Sequence, residues 1–240
     1  IYEQEKAWED ALAMLQQLEK VSGQSMHVQM AHCLCELARK AKKAHQLDIA
    51  YDYVKKALSV DKQSVRASLL KGEIEALSGN YKQAIRAYKK VCQQDDAFIV
   101  EIIEPLARCY RQLGPTSNEY VAFLEGLLKI HPRASIVFAL AKNIKEVKGS
   151  DEALEFLSEQ LRLYPTLKGL NQLITRYLNT TYGKVRGQLQ MLYDVTEKLI
   201  ESKPLYRCGQ CGYDGTHLHW QCPSCKHWGS TKPICGLEGD

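Results

Sequence analysis

GNYKQAIRAYKKV, residues 79–91, is the stretch on which the reading of the fold turns. Tyr81, Ala84, Ile85, Tyr88 and Val91 fall on one face of a helix, while Lys82, Gln83, Arg86, Lys89 and Lys90 fall on the other. Ala50 stands 34 residues before Ala84, and LDIAYDYVKKAL, residues 47–58, puts Leu47, Ala50, Val54 and Ala57 in the equivalent places. Leu34, Leu37, Ala38 and Ala41 form the apolar face of a helix before it. In the other direction, VFALAKNIKEVKGSDEALEFLSEQLRLYP, residues 137–165, repeats the scheme through Val137, Leu140, Ala141, Ile144, Ala153, Leu157 and Pro165. A fixed period of this length means stacked helical pairs, each unable to bury its apolar face alone.

A period of ~34 residues with alanine at the helix crossings resembles the tetratricopeptide repeat (TPR) family. The resemblance implies a superhelix whose concave side holds peptides or protein partners. Residues 98–132 read as a degenerate repeat: a helix around Leu106 and Tyr110, a break at Gly114 and Pro115, then a helix around Phe123 and Leu127 ending at Pro132. AWEDALAMLQQL offers Trp8, Ala11, Leu15 and Leu18 as a lone second helix, and 167–201 a last, longer pair split near Tyr182 and Gly183. Because the opening residues already read as half of a pair, the chain is expected to be a fragment of a longer protein.

Composition sets outer limits. Hydrophobic residues make up 45% and charged residues 25%, typical of folded, water-soluble chains. The formal charge of +4 is spread without long like-charge runs and argues against nucleic acid. No stretch approaches the ~18 to 20 apolar residues of a membrane-spanning helix. Nine cysteines in a chain otherwise free of a disulfide pattern indicate a reducing compartment. Cys33, Cys35, Cys92 and Cys109 sit among apolar neighbours on predicted helices, as small buried hydrophobes.

After Pro204 the helical period stops and YRCGQCGYDGTHLHWQCPSCKHWGSTKPICGLEGD follows. The expected division is therefore 1–203 for the repeat array and 204–240 for a small β module. So short a module needs a staple. Cys208, Cys211, Cys222 and Cys225 supply it, as two CxxC knuckles that close a tetrahedron around one metal ion, iron or zinc. His217, His219 and His227 are near in sequence, but four thiolates already fill the shell. Such a closed site leaves no position for a catalytic water. From Lys203 onward the charge is +1 before the metal site is counted and about −1 with four thiolates and a divalent ion, which disfavours a DNA-binding ribbon. Cys235 is left over as a free thiol.

The tail, with YRCGQCGY and then WQCPSCKHWGSTKPICGLEG, resembles the rubredoxin-type module of the lipopolysaccharide assembly protein B (LapB) family, and the repeat array extends the resemblance. It implies metal ligation by Cys208, Cys211, Cys222 and Cys225. It also implies an N-terminal membrane anchor missing from this stretch, and a place on the cytoplasmic side of the bacterial inner membrane. The implied role is that of a non-enzymatic adaptor that promotes degradation of the deacetylase LpxC by the membrane protease FtsH. The competing reading is an electron-transfer protein, since a rubredoxin-like iron site cycles between two redox states. The module is expected to dock on the array, with some of Leu205, Tyr206, Trp220 and Trp228 facing the last helices, since so small a fold cannot cover them itself. Loss of the metal is expected to unfold the tail and spare the helices, because each repeat touches mainly its neighbours.

Overall fold

The computed structural model describes residues 5–114, 118–236 and 239. Among them are eleven α-helices: α1 (Trp8–Ser22), α2 (His27–Lys43), α3 (Leu47–Val60), α4 (Val65–Leu77), α5 (Tyr81–Gln94), α6 (Ile99–Leu113), α7 (Asn118–Ile130), α8 (Ala134–Val147), α9 (Ser150–Leu163), α10 (Leu167–Thr180) and α11 (Lys184–Glu201). A short 3₁₀ turn, Asp96–Phe98, leads into α6. Strands β1 (Tyr206–Cys208), β2 (Asp214–Gly215) and β3 (Thr231–Pro233) form one sheet in the order β2-β1-β3. No helix among the described residues is long and apolar enough to cross a membrane.

The chain divides into two compact units, Ile1–Pro115 with His219–Thr231, and Thr116–Leu218 with Lys232–Asp240. In the first, α2 pairs with α3 and α4 with α5, and the first helices α2, α4 and α6 also touch in succession. In the second, α8 pairs with α9 and α10 with α11, and α8 touches α10. Contact between first helices of successive pairs is what stacks a repeat into a superhelix. The fold is an all-α TPR array with a small C-terminal rubredoxin-like β module.

The period is written in the backbone as well as in the side chains. His45 (φ 57°) and Gly79 (φ 78°), 34 residues apart, each turn the chain left-handed between the helices of a pair. Beside them Gln46 N–H donates to Ala41 O at 3.0 Å and Asn80 N–H to Glu75 O at 2.8 Å, the same bond one repeat on. Ala50, Val54 and Ala57, and again Ala84, Ile85, Tyr88 and Val91, are buried as the pattern requires. The nearly complete repeat behaves likewise through Val137, Leu140, Ala141, Ala153 and Leu157, with Ile144 half-buried and Pro165 exposed.

The degenerate repeat forms both helices, with Leu106, Tyr110 and Leu127 buried and Phe123 half-buried. The division between the two units runs through it. Pro115, assigned to its break, lies outside the described residues. One assignment in α1 is corrected: Trp8 and Ala11 are buried and Leu15 half-buried, but Leu18 is 48% exposed. Met14, Leu18 and Val21 form an open stripe on that helix, so its core face is narrower than the apolar pattern suggests.

Close helix crossing depends on missing side chains. A Cβ on Gly72 of α4 would lie 2.4 Å from the Tyr88 ring of α5, and one on Gly169 of α10 would lie 2.1 Å from Leu161 of α9. The Leu161 methyl can turn aside, but the Tyr88 ring is buried and rigid, so Gly72 is the glycine that fixes the distance between its helices. Substituting Gly72→Ala is expected to cost about 1–3 kcal/mol, because the ring it displaces is itself buried. Urea unfolding followed by circular dichroism checks this; a change below about 0.5 kcal/mol would mean that the crossing relaxes freely.

Candidate metal centre

The two cysteine knuckles are built by the same hydrogen bonds. In the first, Cys208 N–H donates to Tyr213 O at 2.8 Å and Gly212 N–H to Cys208 O at 3.0 Å. In the second, Cys222 N–H donates to His227 O at 2.9 Å and Lys226 N–H to Cys222 O at 3.0 Å. Both turns need a left-handed residue at the fifth position, supplied by Gly212 (φ 74°) and by Lys226 (φ 62°). Antiparallel pairing of Tyr206 with Gly215 and of Arg207 with Asp214 holds the base of the first knuckle. The bridge Gln221↔Trp228 closes the second.

These turns bring the sulfurs of Cys208, Cys211, Cys222 and Cys225 within 4.8 Å of one another. A tetrahedron with metal–sulfur bonds of about 2.3 Å has edges of roughly 3.8 Å, so the four thiols suit one tetrahedral ion. Among the described residues they are the metal-ligand group, and His217, His219 and His227 lie outside it, exposed. Cys208 and Cys222, the first of each knuckle, are buried, while Cys211 is exposed and Cys225 half-buried. Solvent therefore reaches the site from the Cys211 side.

The remaining cysteines are dispersed. Cys33, Cys35 and Cys109 are buried hydrophobes, and burial pushes the Cys35 thiol up to about 12. Cys92 is half-buried, and Cys235 is exposed with its Sγ against Arg133 Nη1.

Within the first unit, the second knuckle rests on the repeat array. The Trp228 ring stacks on His32 of α2 with centroids 4.8 Å apart and planes 18° apart, and meets Trp8 of α1 edge-on at 6.1 Å. Trp220 stacks on Phe98 at 5.4 Å and 10°. Arg66 of α4 sits beneath both indoles, its Cζ 5.7 Å from the Trp220 ring and 5.8 Å from the Trp228 ring. That guanidinium is 4% exposed, and it is held by Glu36 Oε1 at 2.6 Å and, at longer range, by His32 O at 3.5 Å.

Trp220 and Trp228, two of the four residues of which some were expected to face the last helices, instead meet α1, α2, α4 and the turn before α6. The rings require a flat aromatic and cationic floor, and His32, Arg66 and Phe98 provide one. Leu205 stays 38% exposed and Tyr206 is half-buried.

The Zn_ribbon_LapB family, described as a rubredoxin metal binding domain, matches residues 206–233. Over 240 residues the chain is 34% identical to Lipopolysaccharide assembly protein B of Escherichia coli (strain K12), covering 100% of this chain and 61% of that protein. The chain resembles the LapB family along its whole length. The same-named protein of Haemophilus influenzae (strain ATCC 51907 / DSM 11121 / KW20 / Rd) is 31% identical over 239 residues, 99% of this chain and 60% of that one. The chain thus spans about three fifths of the length of these curated relatives. A thermophilic TPR protein of Thermus thermophilus shares 15% identity at a TM-score of 0.37, over 70% of this chain and 99% of its own.

The LapB-like pattern of cysteines is legible in the sequence, but the floor beneath the knuckle is not. His32 and Arg66 are one 34-residue period apart, and Glu36 follows His32 by one helical turn, on helices whose buried positions are otherwise mostly apolar. Polar residues repeating at the period on a core-facing helix are the signal that marks the floor.

The floor is pH-sensitive. Burial, then the neighbouring Arg66, holds the His32 imidazole down to about 3, with Glu36 opposing. For Glu36, burial acts upward, but the charge and hydrogen bond of Arg66 and the hydrogen bond of Arg39 outweigh it and hold the carboxyl below its usual value. In both cases the unfolded chain takes up the proton first, so stability falls as pH falls, from about 6.5 downward for His32 and below about 4.5 for Glu36. Lowering the pH from 7.5 to 5.5 is expected to cost about 1 kcal/mol through His32, and His32→Phe, which keeps the stack, is expected to remove most of that slope in chemical denaturation. An unchanged slope in the variant would assign the pH dependence to other groups.

Docking also links the thiol site to the helices beneath it. Removing the metal with a chelator is expected to speed amide exchange in His27–Lys43 and Val65–Leu77 as well as in the knuckles, measured by hydrogen exchange and mass spectrometry. Exchange in those two helices that stayed at the metal-loaded rate would show the contact to be energetically idle.

Proposed function

We propose that this chain is part of a LapB-family adaptor that regulates lipopolysaccharide synthesis without catalysing a reaction. In this reading Cys208, Cys211, Cys222 and Cys225 hold one iron or zinc ion, with the module boundary near Pro204: repeat array 1–203, metal module 204–240. The protein works on the cytoplasmic side of the inner membrane, tethered by an anchor outside this stretch, and brings LpxC to FtsH for degradation. Its partners are proteins rather than nucleic acid. The observation that carries the reading is the combination of whole-length resemblance with a four-thiol knuckle seated on the array. A set of four thiolates leaves the metal no open position for substrate or water, which suits a structural ion. Two stacked indoles over a buried arginine suit a part that must present one fixed surface.

The test is made in cells of the native host carrying the full-length protein. Replacing Cys208 and Cys211 with Ser is expected to raise LpxC several-fold at an unchanged level of the variant, measured by quantitative immunoblotting. Normal low LpxC with the variant present in normal amounts would remove the metal module from the adaptor's work. Failure of the purified full-length protein to bind FtsH, LpxC or another lipopolysaccharide-pathway protein would remove the adaptor assignment itself.

A further inference from the structure

The second helices of the helical pairs differ in charge. In α3, Asp48 and Asp52 balance Lys55 and Lys56, and in α9, Asp151, Glu152, Glu155 and Glu159 stand against Arg162 alone. In α5, Lys82, Arg86, Lys89 and Lys90 stand with no acidic residue at all. The acids that follow, Asp95 and Asp96, lie past its C-terminal end, where Asp95 caps the turn into α6 by accepting from Ala97 N–H at 3.0 Å. Residues 27–94, from α2 through α5, hold 13 basic and 6 acidic side chains, a balance of +7, whereas the whole chain carries +4.

The cations of α5 share one side. Lys82, Arg86 and Lys89 stand at i, i+4 and i+7 with Lys90 beside them, and Ala84, Ala87, Tyr88 and Val91 are buried on the opposite side. They span about 12 Å of helix, comparable with the Debye length of about 8–10 Å, so they act on a charged partner together. Among the described residues Lys82, Arg86 and Lys90 take part in no ion pair. Lys89 rests over the Tyr110 ring of α6, 5.6 Å from its centre.

We propose that this face of α5 is a contact for an anionic lipid bilayer. Charge complementarity selects the occupant, and the make-up of the face narrows it. Three of the four cations are lysines, compact point charges rather than the forks that grip one phosphate or base edge. The nearby aromatic faces are taken, Tyr110 by Lys89, Tyr53 by Lys56 and Tyr51 by Lys71, which leaves those rings no open face for stacking nucleic-acid bases. No apolar residue breaks the stripe, and lysine without an apolar centre is depleted from protein interfaces. A plane of delocalised negative charge needs neither rings nor an apolar centre. Each Lys or Arg close to such a plane strengthens binding about fivefold, so Lys82, Arg86 and Lys90 together contribute about a hundredfold. That is weak for a free protein and sufficient for a tethered one, whose local concentration at the surface is in about the millimolar range. The proposal deepens the adaptor reading and rests on its anchor for that tethering; the added contact fixes how the first unit is rolled against the membrane.

The metal-loaded chain is tested by sedimentation with vesicles of phosphatidylcholine, with and without phosphatidylglycerol. Binding is expected only where phosphatidylglycerol is present, and is expected to be lost as salt rises from about 0.05 to 0.5 M. Replacing Lys82, Arg86 and Lys90 together with Gln should weaken binding about a hundredfold. Replacing Lys142, Lys145 and Lys148 with Gln removes the same charge from α8 and the residue after it, and should leave binding nearly unchanged. Circular dichroism checks that both variants keep their helices. Equal binding to both kinds of vesicle overturns the inference, as does equal weakening by the two triple substitutions, which would assign binding to net charge. An oligonucleotide or polyglutamate that displaces the chain as well as anionic vesicles do would also overturn it, marking a general polyanion surface. The measurement contains neither LpxC nor FtsH, so its failure leaves the adaptor reading in place, and failure of the adaptor reading leaves the vesicle result in place.

Discussion

A single buried charge sets the terms for the first unit. Taking the guanidinium of Arg66 out of water costs several kcal/mol, and a buried ion pair alone roughly breaks even against that loss. The Glu36 contact at 2.6 Å therefore leaves the balance to be tipped by something else. The faces of Trp220 and Trp228 do so, since a desolvated cation over an indole gains about 2 kcal/mol or more at each ring. The dependence runs both ways. Without the indoles, Arg66 and Glu36 would rehydrate and the floor between α2 and α4 would loosen; without Arg66, the two rings would rest on little more than His32 and Phe98.

The knuckle is what makes two indoles available side by side. Trp220 stands two residues before Cys222 and Trp228 three after Cys225, and Gly229 N–H donates to Trp220 O at 2.7 Å across the turn. That bond and the Gln221↔Trp228 bridge put both rings on one side of the hairpin. Gly229 itself must be small: a Cβ there would lie 3.3 Å from His32 Nε2, tighter than the stack allows without movement. The same turn carries Cys222, which is buried, and Cys225, which is half-buried. Metal geometry and ring geometry are two consequences of one turn.

The helical pairs and the four thiols are legible in the sequence because both are periodic or closely spaced signals, carried by Ala50, Ala84 and Ala153 and by the two CxxC turns. The floor is not, because a histidine and an arginine on helices read as polar interruptions until their 34-residue separation is noticed. Leu18 misleads for the opposite reason: it fits the apolar stripe of α1, yet no described neighbour covers it, and periodicity reports which face is apolar rather than what lies against it. The seat of the second knuckle escapes the sequence because order along the chain does not tell which surface complements its rings. Pro204 constrains where the chain leaves the last helix but says nothing about which rings have a complementary surface.

Locality therefore takes a different meaning in this repeat protein. A stacked array passes energy mainly between neighbours, so distant positions in the sequence are ordinarily independent. A loop that returns from the C-terminal end to stack on α2 and α4 adds contacts of the longest sequence separation in the unit, and these contacts depend on a tight turn that the metal closes. Trp228 touches both His32 and Trp8, which come from different helical pairs, so it also ties α1 to α2 through a ring that belongs to neither. A metal that closes that turn is therefore expected to stabilise the beginning of the array as well as the knuckle itself.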